Sequence, residues 1–235
     1  MRDIYDIVQE EIFNKIDVNV TVESVTSLSN NRQILTLCRN KWARVGNYLT
    51  DIDNKQWKIE SIAENGDITV IKPTGATNIV KRNVLSLKNP IYLFGTQITA
   101  NNEYLMKGND VRTKLPIVWL VESIREQEFT FKSQTERKSD VKFYFLDDNN
   151  PKQYLSKDYR KNVVTPMIGL KDEVIRVINT NLVFDDIDSY NTRPITRFGN
   201  EDEKGYFANI LDENLSGVEL TITLPILKSG NNCKC

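Results

Sequence analysis

The chain has 235 residues, 40% of them hydrophobic and 27% charged. That apolar content offsets chain entropy and excludes a disordered protein, and three cysteines over this length exclude a disulfide-stapled miniprotein. Lys plus Arg number 31 against 32 for Asp plus Glu, so the net charge of -1 excludes a generally basic nucleic-acid binder and leaves room only for a local patch.

Residues 2–16 predict an amphipathic helix. Ile4, Ile7, Val8 and Ile12 share one face, and Asp3 and Asp6 sit in the first turn, where the helix dipole favours negative charge. A helix of this length is marginal alone, so it is expected to dock on something. From Asp17 to Lys88 the pattern turns to β. Asp17–Glu23 alternates with period two, Gln33–Cys38 is a second strand candidate, and Trp57–Ile62 alternates again before Ile68–Ile71. Asn65-Gly66 between the last two predicts a tight hairpin with positive φ at both central positions. Lys72-Pro73-Thr74-Gly75 is another turn signal. Short strands at this spacing predict a small antiparallel barrel or sandwich over 17–88.

Pro90–Gly95 reads as a short buried strand, and the polar stretch Thr96–Lys114 as a long loop. A structureless loop of that length is either a binding loop or simply flexible. An arm that orders against a neighbouring subunit fits it, with Asn101, Asn102, Tyr104, Lys107 and Arg112 as candidate inter-subunit contacts. Leu115–Glu122 is the most apolar strand, with Pro116 near its start, where Pro is tolerated. Glu126–Phe131 and Asp140–Leu146 are further strands, with the charged stretch Ser133–Ser139 as a turn between them. Pro151–Asn181 reads as helical, with Thr165 as N-cap, Pro166 as first helical residue and an apolar stripe of Met167, Leu170, Val174, Val177 and Ile178. Tyr190–Phe198, Gly205–Leu211 and Gly217–Ile226 complete the predicted strands. The fold class is therefore α+β: a mainly antiparallel sheet with two principal helices from 1–16 and 89–235, plus the inserted β-domain 17–88.

Chemistry is constrained by the absence of histidine, which removes Ser-His-Asp and Cys-His nucleophile pairs and His-ligated zinc. No Gly-rich phosphate loop occurs, so no cofactor is expected. Cys233 and Cys235 with Cys38 offer at most a zinc site of three thiolates and one carboxylate, and the simpler reading is free thiols. Asp185, Asp186 and Asp188, and the run Glu201-Asp202-Glu203, supply hard oxygens for Mg²⁺ or Ca²⁺ but lack the spacing of a calcium loop; solvated loops explain them as well. Asp147-Asp148-Asn149-Asn150 suits a turn. Arg39, Trp42 and Arg44 combine cations with a stacking ring, a pattern suited to single-stranded nucleic acid, although a core Trp flanked by solvated cations gives the same pattern. Lys152, Lys157, Arg160 and Lys161, with Tyr154 and Tyr159 between, form a second basic run that faces DNA, an acidic neighbour or water. No stretch approaches the ~18 apolar residues of a membrane span, and the first residues carry two acids and no long apolar run, unlike a secretory leader.

The element order of the first helix with Pro90–Pro225 resembles the tail-terminator and head-tail connector proteins of tailed bacteriophages. The features are the N-terminal helix, the Pro-bearing strand Leu115-Pro116-Ile117-Val118-Trp119-Leu120, the strand Val141–Leu146, the helix entered at Val164-Thr165-Pro166-Met167, and the closing strand Gly217–Leu224. The texture is similar to structural proteins of gut Bacteroidales phages, the crAss-like group among them; the stretch 17–88 departs from the compact pattern as an insertion. The resemblance implies a non-catalytic virion protein, a homo-oligomeric ring subunit of the neck between portal and tail. Its partners would be portal, connector or tail proteins, with sequence-independent phosphate contacts to DNA in the lumen. The alternative is a β-barrel module that grips nucleic acid non-specifically through Arg39, Trp42 and Arg44.

Overall fold

A computed structural model describes residues 3–28, 31–107, 114–122, 124–131, 134–148, 159–187, 189–201, 207–209, 211 and 215–227. The protein is α+β, with mostly antiparallel strands, one closed six-stranded barrel and, among the described residues, three α-helices. The chain divides into two compact units: Asp17–Asn89 with Tyr154–Leu170, and Met1–Ile16 with Pro90–Gln153 and Lys171–Cys235.

The barrel unit contains β1 (Asn19–Ser27), β2 (Arg32–Leu37), β3 (Tyr48–Thr50), β4 (Gln56–Ile62), β5 (Ile68–Ile71) and β6 (Val84–Ser86), in the closed order β1-β2-β5-β4-β3-β6. Of the two architectures the alternation allowed, barrel and sandwich, the chain adopts the barrel. The meander β3-β4-β5 is flanked by β6 beside β3 and β2 beside β5, which makes two overlapping Greek keys. Alternation sends Val20, Val22, Leu35, Leu37, Leu49, Trp57, Ile59, Ile68, Val70 and Leu85 into the buried core. Register shifts at Val22/Ser24 and Ile59/Ser61 bend β1 and β4 in the way that barrel closure requires. The buried amide of Gln33 completes the wall: its Nε2 donates to the Ile79 carbonyl at 3.1 Å, and Ile79 N–H donates back to Oε1 at 3.0 Å.

The β4–β5 hairpin corrects one expectation. Only Gly66 has positive φ, at +91°. Gly66 N–H donates to Ala63 O, and Ala63 N–H to Asp67 O. The loop is therefore three residues, a turn followed by a left-handed glycine. Asn65 instead uses its side chain, whose Oδ1 accepts from Asp67 N–H at 3.1 Å.

The second unit begins with α1 (Ile4–Glu11), capped by Asp3, whose carboxylate accepts from Tyr5 N–H at 3.2 Å. The predicted helix to Ile16 is shorter than expected; after Ile12 the chain tightens into a 3₁₀ turn, Phe13–Lys15. The expected apolar face is buried, with Ile4, Ile7, Val8 and Ile12 all at 5% exposure or less. The sheet comprises β7 (Ile91–Gly95), β8 (Ile117–Val121), β9 (Arg125–Phe131), β10 (Gln134–Asp148), β11 (Tyr190–Ile195) and β14 (Leu215–Leu227), in the order β11-β14-β10-β8-β7 with β9 also on β10. The short pair β12 (Gly199–Glu201) and β13 (Phe207–Asn209) stands apart. Gln134–Ser139, expected as a turn, is strand: it pairs with Phe131–Glu126 on one side, and Glu136–Ser139 pair with Leu227–Leu224 on the other. Its charges sit on a long ribbon, where the polar content mimics a loop signal.

The helix α3 (Thr165–Thr180) follows a π-helical segment, Arg160–Val164. Thr165 is therefore not the N-cap, because helical backbone already precedes it. Pro166 sits inside a helix, where its missing N–H and its ring are normally costly. The wide turn, with Thr165 N–H donating to Arg160 O five residues back, places the proline after a segment that has already left α geometry. The predicted stripe is buried, with Met167, Leu170, Val174, Val177 and Ile178 at 3% exposure or less.

Candidate assembly surface

The predicted loop Thr96–Lys114 is the main correction. Gln97–Met106 is an α-helix, α2, and Gly108–Thr113, Arg112 included, lie outside the described residues. Thr96 provides the cap: its Oγ1 accepts from Thr99 N–H at 3.2 Å, and the Thr99 hydroxyl donates to Thr96 O at 3.0 Å. The preceding Gly95 carbonyl accepts from Trp119 Nε1 at 3.2 Å and from Glu122 N–H at 3.1 Å, which fixes the entry to the helix against the neighbouring strand.

Only Ala100 and Tyr104 of α2 are buried. They join Leu93, Leu115, Ile117, Trp119, Leu146 and Phe198 in the core on that face of the sheet. Tyr104, expected at a subunit contact, is thus a core residue at 1% exposure, with the buried Lys114 ammonium 4.1 Å above its ring. Asn102 is exposed, and Asn101 is half-buried at the edge of the helix. Lys107, the C-cap, pairs with Glu103 at 3.1 Å.

Sequence reasoning missed the apolar residues on the opposite side. Ile98 is 73% exposed, Leu105 48% and Met106 85%. Their spacing of i, i+7 and i+8 puts them on one helical face with Asn102 between, turned away from Ala100 and Tyr104. That spacing was the available signal. Covering one such side chain is worth roughly 1.5–3 kcal/mol.

The other face of the sheet carries aromatics tied to α1. Phe13 stacks on Tyr92 with ring centroids 4.3 Å apart, and Tyr5 lies 5.1 Å from Phe94. Burial pushes the Tyr92 hydroxyl well above the ordinary tyrosine range, so it stays neutral at any working pH. Asn181 at the end of α3 donates to Glu11 O at 2.7 Å and ties α3 to α1 on this face.

The nucleic-acid candidates are not brought together as a stacking site. Trp42 is a barrel core residue at 1% exposure, and its indole N–H donates to Lys88 O at 3.0 Å. Its ring is unavailable to a base. Arg39 is exposed and Arg44 half-buried. The Cys38 thiol is exposed and donates to Glu23 at 3.1 Å; that bond raises its pKa and lowers its thiolate fraction. Asp185 and Asp186 are exposed, and no group of three or more Cys, Asp or Glu converges among the described residues. Asp188, Asp202, Glu203, Lys152, Tyr154, Lys157, Cys233 and Cys235 lie outside the described residues, as does the turn Asn149-Asn150. Asp148 ends β10, and the buried Asp147 accepts from Asp148 N–H at 2.9 Å.

Comparison of the chain with protein families, curated proteins and solved structures finds no match in any of the three. No helix among the described residues is long and apolar enough to cross a membrane.

Proposed function

We propose that this protein is a structural subunit that assembles with copies of itself, and that its setting is the neck of a tailed-phage virion, as a connector or tail-terminator-type ring. The observation that carries the reading is the outward face of α2. A rigid, capped helix presents Ile98, Leu105 and Met106 to solvent while its other face is locked into the sheet core. An exposed helical face of Ile98, Leu105 and Met106 with a single Asn102 between them is the kind of surface that association covers. The element order supports the more specific setting: α1, β7, the Pro-preceded β8, the long β10, α3 on the α1 side, and β14 returning antiparallel to β10. In this reading the subunit is non-catalytic, its partners are portal and tail proteins, and any DNA in the lumen is met through phosphates.

Rings need heterologous contacts, so α2 would meet a different surface on the next copy. The test is the double variant Ile98→Ser with Met106→Ser. The reading expects the oligomer to dissociate while the thermal midpoint of the protomer stays within a few degrees. A variant that assembles like the parent removes α2 from the interface.

A further inference from the structure

The barrel unit contains a cavity of about 360 Å³, framed by the loop after β2, the Ala63–Gly66 turn and the π-helical entry to α3. That volume lies within the range of small-ligand sites, roughly 300–1,000 Å³. Three cations line it, Lys41, Arg160 and Lys161, against one carboxylate, Glu64. Lys41 is already committed: its ammonium donates to the Asp17 carbonyl at 2.5 Å and to the Asp17 carboxylate at 2.9 Å. Arg160 is exposed and Lys161 half-buried. Among the described residues neither side chain has an ion-pair or hydrogen-bond partner.

The frame is rigid where it matters. Lys41 adopts the left-handed backbone region at φ +43°. Its carbonyl lies against Gly169 of α3, so closely that a Cβ there would stand 2.0 Å from the oxygen. Such backbone strain persists where surrounding structure over-determines it. On the other side, the Asn40 amide donates to Gly66 O at 2.6 Å and clamps the hairpin turn to the loop. The remaining walls are Ala43, Ile62, Ala63 and Pro166, apolar, with Thr165 the one hydroxyl residue among them.

We propose that this cavity binds a phosphate ester, with the phosphate held by Arg160 and Lys161 and a compact apolar or planar body lying against Ile62, Ala63 and Pro166. A phosphate monoester carries close to two negative charges at neutral pH, matching two uncommitted cations, and guanidinium meets it in a bidentate fork. A monocarboxylate would leave one cation unmatched. The ester is either a free small molecule or a nucleotide unit within a single strand; both present the same chemistry. This site does not depend on the assembly reading and does not use Trp42.

The test is calorimetry on the full chain at low salt with inorganic phosphate, deoxythymidine 5′-monophosphate, unphosphorylated deoxythymidine and a short oligothymidylate. The proposal expects saturable binding of phosphate and of the monophosphate, with the monophosphate tighter and deoxythymidine at least about tenfold weaker than its phosphate. Arg160→Gln with Lys161→Gln should weaken the monophosphate at least about tenfold, with an unchanged circular dichroism spectrum, whereas Lys81→Gln, an exposed barrel position, should not. Ala63→Trp keeps every charge, fills the cavity and should weaken the monophosphate more than inorganic phosphate. Tighter binding of the oligonucleotide, lost in the same double variant, identifies a strand as the source; equal or weaker binding identifies a free ester. Absence of saturable binding by phosphate and monophosphate alike, deoxythymidine binding as well as its phosphate, or full binding by the double variant would overturn the proposal.

Discussion

Gly169 shows how tertiary contact reverses a local preference. In a helix interior, Gly→Ala normally stabilises by up to ~1 kcal/mol. Here a Cβ would meet the backbone of Lys41 at 2.0 Å from O and 2.7 Å from C, and backbone cannot swing aside as a side-chain tip can. Gly169→Ala should therefore destabilise the chain by about 1–3 kcal/mol, the usual cost of overpacking; urea denaturation would show the midpoint falling where helix propensity alone predicts a rise. The Arg32–Glu60 pair gives a second residue-level expectation. Two hydrogen bonds of 2.6 Å join the guanidinium to the carboxylate across the intervening β5. Hydrogen bonding to Arg32 lowers the Glu60 pKa below its ordinary 4.5. Folding therefore favours the ionised form, and the contribution is full above about pH 4.5 and is lost as pH falls through the lowered folded value. Glu60→Gln should be less stable than the parent near neutrality, with the difference fading in acid; thermal midpoints measured across pH 2–7 check this. Both side chains remain about one-third exposed, so the effect should be small and should shrink with added salt.

The helix α2 shows where pattern reading fails. Its buried side consists of one Ala and one Tyr at i, i+4, too thin a stripe to outweigh Asn101, Asn102 and the polar neighbours that suggest a loop. Its stability comes from the Thr96 cap and from Tyr104 in the sheet core. Thr96→Ala should cost about 1 kcal/mol and should speed amide hydrogen exchange in 97–106 ahead of the rest of the sheet. By contrast, the strands β2, β4 and β5 were legible, because a barrel interior enforces strict alternation. β3 and β6, of three residues each, are too short to carry a period. The basic-aromatic reading of Arg39, Trp42 and Arg44 failed for a related reason: a sequence window does not say which way a Trp ring faces, and this one closes the barrel core. The i, i+7, i+8 spacing of Ile98, Leu105 and Met106 marks a face only once 97–106 is known to be a helix, and the thin buried stripe concealed that helix.

The chain runs from α1 into the barrel, returns for β7 to β10, contributes Tyr154–Leu170 to the barrel unit and comes back for the remainder. The helical stretch whose Gly169 packs on Lys41 thus belongs to the barrel unit, although the barrel strands alone read as a self-contained insertion over 17–88. Self-assembly through the sheet unit is tested by sedimentation, which gives solution mass against concentration for the protein alone and with portal or tail proteins added. A discrete oligomer should grow in with concentration or form on mixing, and Ile98→Ser with Met106→Ser should abolish it. A protomer that remains monomeric at every concentration and binds none of these partners would contradict it.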